Sequence, residues 1–146
     1  MFFSKNMSEY YAPAGPRIQF RASFCYKRRV MPQVSVRGKI ISEKARLVLS
    51  PWRQLTGLMF SGPQDLIFDL KREKRVWMHM LFVFFPIDVV LLGSTKDIVG
   101  LKPRFRPFGW YFSGVKARYI LELKSGTILR FGLQPGDRIT FDFPLN

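Results

Sequence analysis

The sequence is poor in the groups from which catalytic and metal sites are usually assembled, with one cysteine, Cys25, and one histidine, His79. A lone cysteine cannot close an internal disulfide, and this pair offers no metal-ligand spacing. A reducing compartment, the cytoplasm, is the simpler expectation, with no metal and no cofactor. Acidic side chains are scarce too: ten Asp and Glu stand against 24 Lys and Arg, for a net charge of +14. Such an excess predicts attraction to polyanions, nucleic acid or anionic lipid among them, and says nothing about fold. Long uninterrupted apolar runs are missing as well. Residues 76–92 come nearest, but they contain His79, Pro86 and Asp88, whereas a span needs about 18–20 apolar residues with few charges. Proline in mid-run and aspartate in lipid argue instead for two buried strands with a bend between them. The first residues lack the apolar run of about 7–15 residues of a secretory signal.

What is present is enough apolar surface for a core. Hydrophobic residues make up 47% of the 146 and Phe alone numbers 15, far from the composition of a disordered chain. Residues 1–30 carry Pro13, Gly15, Pro16 and the basic run Lys27-Arg28-Arg29 without a sustained period. They read as a poorly ordered basic extension, and 31–146 as a single β-rich domain. Met31 could even be the true start, which an intact mass of the native protein beginning at Met1 would refute.

Residues 34–41 and 45–49 alternate apolar with polar side chains, the pattern of strands with one wet face. Ser50-Pro51 looks like a helix start, and a short helix is predicted over 51–58. Turn residues 61–65 lead into a strand over 66–70. Lys71-Arg72-Glu73-Lys74 then reads as the connection of a hairpin whose second strand, 76–85, is apolar on both faces and needs cover on both. Pro86 bends the chain into a strand over 87–92, and 93–97 turn into 98–101. Residues 102–114, with Pro103, Pro107, Gly109 and Gly114, predict a long loop. Strict alternation over 115–123 predicts another strand, 125–132 a single helical turn between Ser and Gly, and 138–143 the last strand. The expected fold is therefore mainly β, a jelly-roll-like sandwich or partly closed barrel with one or two short helices.

Four pieces in order carry a family resemblance: Gly57-Leu58-Met59; Pro86-Ile87-Asp88; the run from Ala117 to Leu123 with Gly126; and Gly132-Leu133 before Gly136-Asp137. Together they resemble the domain of unknown function 192 family over residues 34–143. The resemblance implies a β-sandwich or jelly-roll-like domain with one short helix and no established activity. Bacterial members typically carry Trp-Met-Lys-Asn-Thr before their Pro-Leu-Asp, where this chain has His79-Met80-Leu81-Phe82-Val83. It looks more like the archaeal branch, so no role of that polar triplet carries over.

Candidate site residues fall into two groups. Lys102, Arg104, Phe105, Arg106, Trp110 and Tyr111 interleave cations with aromatics, as single-stranded nucleic acid requires, since cations neutralise phosphates and rings stack bases. Lys71, Arg72, Lys74 and Arg75 extend that patch if they lie nearby. The plainer reading is that the rings plug one end of the sandwich. Asp88, His79 and Arg118 form the second group, as polar members of a pocket or of the core. His79 lacks a carboxylate at a neighbouring strand position, so it reads as a core or interface histidine. A buried Asp88 needs partners, either a pinned turn or an arginine such as Arg118, and Asp137 reads as a turn residue. No catalytic residues emerge. The leading expectation is a non-enzymatic binding or accessory module of unknown ligand, with a nucleic-acid-binding protein using 102–112 as the alternative and an enzyme third.

Overall fold

A computed structural model describes residues 31–49, 58–59 and 62–141. Eight strands and one short helix are found among them: β1 (Val34–Val36), β2 (Lys39–Ser42), β3 (Arg46–Val48), β4 (Leu66–His79), β5 (Ile87–Leu92), β6 (Ile98–Phe105), β7 (Trp110–Lys124), α1 (Thr127–Phe131) and β8 (Ile139–Thr140). They form a three-stranded sheet ordered β2-β1-β8 and a five-stranded sheet ordered β3-β4-β7-β5-β6. Only β3 and β4 run parallel. An isolated bridge between Asp97 and Arg138 links the sheets at one edge. The fold is thus mainly β, with two sheets and no closed barrel.

The apolar sequence of β5 finds its reason here. Every residue of Ile87–Leu92 is buried because the five-stranded sheet is covered on both faces. On one face Val90, Leu92, Ile67, Leu121 and Leu123 pack against Val34, Val36, Ile41 and Ile139 of the small sheet, with Ile128 and Leu133 sealing an end. On the other, Leu66, Phe68, Val89, Leu91 and Ile120 pack with Leu58, Met80, Val83 and Phe105. α1 is closed by Gly132, whose φ of 57° glycine adopts without cost and whose N–H bonds back into the helix. Gly126, not Ser125, occupies the N-cap, and the turn before it is held by Thr127 Oγ1 donating to Lys124 O at 2.7 Å.

Several expectations need correction. Residues 34–41 form a hairpin, β1 and β2, around Arg37 and Gly38, both at positive φ, rather than one strand. The charged stretch 71–74 is not a hairpin connection: β4 runs through it, bulging between Asp69 and Lys74, and both halves of β4 pair with β7. No turn residue stands there, and a bulge absorbs extra residues without ending a strand. β4 stops at His79, and residues 80–86 cross to β5, which pairs with β7 and β6 instead of β4. The expected long loop 102–114 shrinks to 106–109 between β6 and β7. Pro103 is accommodated because β6 is an edge strand, with a bulge opposite Ile87 and Val89 where Arg104 takes a φ of 47°. The predicted extension 1–30, the helix over 51–57 and the strand residues 142–143 lie outside the described residues.

Candidate functional site

The geometry of β7 creates an unusual surface. β5 flanks β7 only from Tyr119 to Lys124, so beyond Ala117 strands β4 and β7 continue as a two-stranded ribbon. A two-stranded ribbon is marginal in water unless one face packs. That face is supplied by Val76, Met78, Met80 and Tyr111, which join the cluster around Val83 and Phe105. At the β7 bulge, buried Ser113 substitutes for a missing ladder partner: its Oγ accepts the Val76 N–H at 2.8 Å and donates to Val115 O at 2.7 Å.

The other face is open and aromatic. Trp77 sits opposite Phe112, and His79 opposite Trp110, and directly opposed residues share a face. Trp77 is 73%, Phe112 63% and Trp110 58% exposed. The Trp77 and Trp110 centroids lie 5.7 Å apart with planes inclined by 33°, and the His79 ring is also 5.7 Å from Trp110. His79 Nδ1 is buried without a hydrogen-bond partner. At the ribbon tip, exposed Phe84 and Phe108 meet edge to face at 5.8 Å. Phe108 adopts a φ of 60°, a costly conformation for a bulky residue. Residues 74–87 and 98–121 include Lys74, Arg75, Lys102, Arg104, Arg106, Lys116 and Arg118 and no Asp or Glu. Arg75 pairs with Lys116 just before the Trp77 position. Exposed Arg104 and Arg106 line a shallow hollow of about 580 Å³ with Pro86, Pro103, Pro107 and Ser125.

The residues singled out in 102–112 therefore divide. Phe105 is buried and meets Tyr111 edge to face at 6.0 Å, with Lys102 Nζ 5.7 Å from the Tyr111 ring. Phe105 lies within, and Tyr111 packs against, the cluster on the face of the large sheet away from the small one, and burial pushes the Tyr111 hydroxyl up. Trp110, Arg104 and Arg106 face solvent. Trp77 was not among the residues singled out, because it stands in a run that looks buried on both faces, and Phe112 closed the segment 102–112 without being named as a site residue. The signal that could have found them is the long acid-free stretch around them.

The second group separates as well. Asp88 is 0% exposed, and its two carboxylate oxygens accept the Arg104 N–H at 2.9 Å and the Ile128 N–H at 2.7 Å. It pins the end of β6 to α1. Arg118, offered as its partner, instead donates Nε to Asp69 at 3.1 Å, because it stands opposite the β4 bulge. Burial alone would raise the Asp69 carboxyl, but bonds from the Lys71 N–H, the Lys71 ammonium and Arg118 outweigh it and hold the group below its usual value. Asp137 is the turn residue expected, accepting the Gln134 N–H at 2.9 Å. Sequence reasoning gave Glu122 no role of its own. It stands between Leu66 and Val89 in the middle of the large sheet, its Oε2 buried without a partner, and burial raises its carboxyl to about 7.

Among the described residues no group of three or more His, Cys, Asp and Glu could hold a metal ion, and no helix is long and apolar enough to cross a membrane. A cleft of about 780 Å³ opens between β2 and the β7–α1 turn, lined in part by Lys44, Asp65, Lys124 and Arg130. Asp65 is spent there on Ser42 Oγ and the Lys124 N–H.

Comparison with known proteins places this fold. UPF0127 proteins of Pyrococcus furiosus and Thermococcus sibiricus are 34% and 31% identical over 109 and 110 residues, covering 73% of this chain each and 93% and 71% of the relatives. A solved structure from Sinorhizobium meliloti, described as that of a proposed transcription regulator, superposes with a TM-score of 0.67 at 26% identity, covering 75% of this chain and 91% of the other. A protein of unknown function from Novosphingobium aromaticivorans gives 0.66 at 20% identity, covering 75% and 82%. The sequence profile of domain of unknown function 192, an uncharacterised ACR family, matches residues 33–141. The chain belongs to that family.

Proposed function

We propose that this protein is a non-enzymatic binding module whose ligand is single-stranded nucleic acid, held on the outer face of the β4–β7 ribbon. The observation that carries the reading is the coincidence of exposed Trp77, Trp110 and Phe112 on one face with flanking stretches, 74–87 and 98–121, that hold cations and no carboxylate. Flat rings stack unpaired bases at about 1–3 kcal/mol each, and Lys and Arg neutralise the phosphates between them. A duplex would keep its base faces hidden, so the rings favour a single strand. The Sinorhizobium meliloti protein is described as a proposed transcription regulator, a description that does not specify a single strand. Titration of a labelled single-stranded oligonucleotide at about 50 and about 200 mM salt tests it, because phosphate contacts must weaken steeply over that range. Binding that falls with salt, and that is lost when Arg75 and Lys116 are changed to Glu, is expected. No binding at the lower salt would discard the reading.

A further inference from the structure

The spacing of the rings says more about the strand they would hold. Trp77 and Trp110 stand on successive outer-face rungs of the ribbon, the first opposite Phe112 and the second opposite His79, with Met78↔Tyr111 between them on the inner face. Successive same-face positions of an antiparallel strand lie about 6.8 Å apart, while bases stacked within a strand repeat every ~3.4 Å. Two bases resting on the two rungs are therefore too far apart to stack on each other. The indole centroids themselves are only 5.7 Å apart, short of the roughly 6.8 Å that a base sandwiched between two rings would need at that same stacking distance. No base therefore fits between the two indoles, and each base takes the solvent-exposed face of its own ring. Cations stand beside this step, Arg75 and Lys116 paired just before Trp77, and Arg104 and Arg106 precede Trp110 in the chain.

We infer that the ribbon takes two consecutive nucleotides in an unstacked step, one on Trp77 and the next on Trp110, and so selects pyrimidine runs over adenine runs. The inference rests on the single-strand reading above and adds its sequence preference. Adenine runs stack strongly on themselves and must surrender that stacking to bind. Uracil and thymine runs are flexible and have little to surrender, which is how sequence preference arises without reading base edges.

The test uses the full chain with uracil and adenine runs of about ten nucleotides, a length within the range of known single-strand sites, beside a duplex of the same length and phosphatidylserine vesicles. The uracil run should bind several-fold more tightly than the adenine run. Trp77→Ala or Trp110→Ala should each weaken the uracil run by roughly five-fold or more and bring the two affinities together, while Trp77→Phe keeps most of the preference. Equal or tighter binding of the adenine run would overturn the unstacked step and leave the single-strand reading standing. Binding to neither run, or to the vesicles alone, would overturn both. Since both indoles are exposed, melting temperatures of the variants should match the parent, and an unchanged uracil affinity in the folded Trp77→Ala/Trp110→Ala double variant would also sink the inference.

Discussion

Over Leu66↔Glu122, Ile67↔Leu121, Phe68↔Ile120 and Asp69↔Tyr119 the β4–β7 pair is buried on both faces, whereas beyond Lys74↔Ala117 the same two strands keep one face open. Both stretches carry aromatic and apolar side chains. What differs is the neighbour: β5 lies beside β7 in the near half and is absent from the far half, and the small sheet packs over the near half only. Apolar side chains in the near half hold the fold together on both faces, whereas Trp77, Phe112 and Trp110 on the open face of the far half are left facing solvent. Substitutions should separate the halves accordingly, with stability lost in one and affinity in the other.

The largest effect is expected from Leu121→Ala. Leu121 is fully buried at the centre of the large sheet, among Val34, Ile67 and Val90. Loss of its side chain there should cost about 2–5 kcal/mol of unfolding free energy in a denaturant melt. A loss below about 1 kcal/mol would mean that the near half is not the tightly packed body described above.

Next comes the pH dependence set by Glu122. Its carboxyl is raised from 4.5 to about 7 by burial, so the native state keeps a proton that the unfolded chain has released. Stability contributed by the neutral form is complete below the unfolded value and is lost as pH rises through the native one. Between about pH 4.5 and pH 8 the parent should lose on the order of 3 kcal/mol relative to Glu122→Gln, which carries no such proton. Melting both proteins across that range checks it. A parent and variant that run parallel would show that Glu122 ionises without penalty.

How much of this was legible in the sequence follows from the same contrast. Strict alternation over 115–123 and the Gly93–Asp97 turn announced β7 and the β5–β6 hairpin, because period and turn chemistry are local. The two bulges in the β4–β7 pair were not legible, since the missing turn residue is the one sign of a bulge in Lys71-Arg72-Glu73-Lys74, and the charge of that stretch suits a connection equally well. Misreading them paired 66–70 with 76–85 and hid β7 as their common partner. The exposure of Trp77 was lost for the same reason: an apolar run looks alike whether or not a third strand lies beside it. Asp88 was legible as a residue needing partners, but which donors reach it depends on where β6 and α1 end.

A smaller effect is expected at the junction, where Ser113→Ala removes the hydroxyl that bonds Val76 N–H and Val115 O. A buried N–H left unpaired costs about 1–3 kcal/mol. The loss should be concentrated in the far arm, so hydrogen exchange at Val76–His79 should speed up more than exchange at Leu66–Phe68. Equal acceleration in both halves would mean that the ribbon has no independent opening.

The smallest effect on stability, and the sharpest separation of the two halves, belongs to Trp77→Ala. The indole is 73% exposed, and removing a mostly solvated side chain from a strand changes stability by no more than about 0.5 kcal/mol. If the ring serves only to shield the ribbon, the melting curve will move and no ligand will notice. If it serves as a stacking surface, the melting curve stays in place and affinity for single strands falls. A loss above about 1 kcal/mol, comparable to an ordinary core truncation, would assign Trp77 to the structure and erase the difference between the near and far halves.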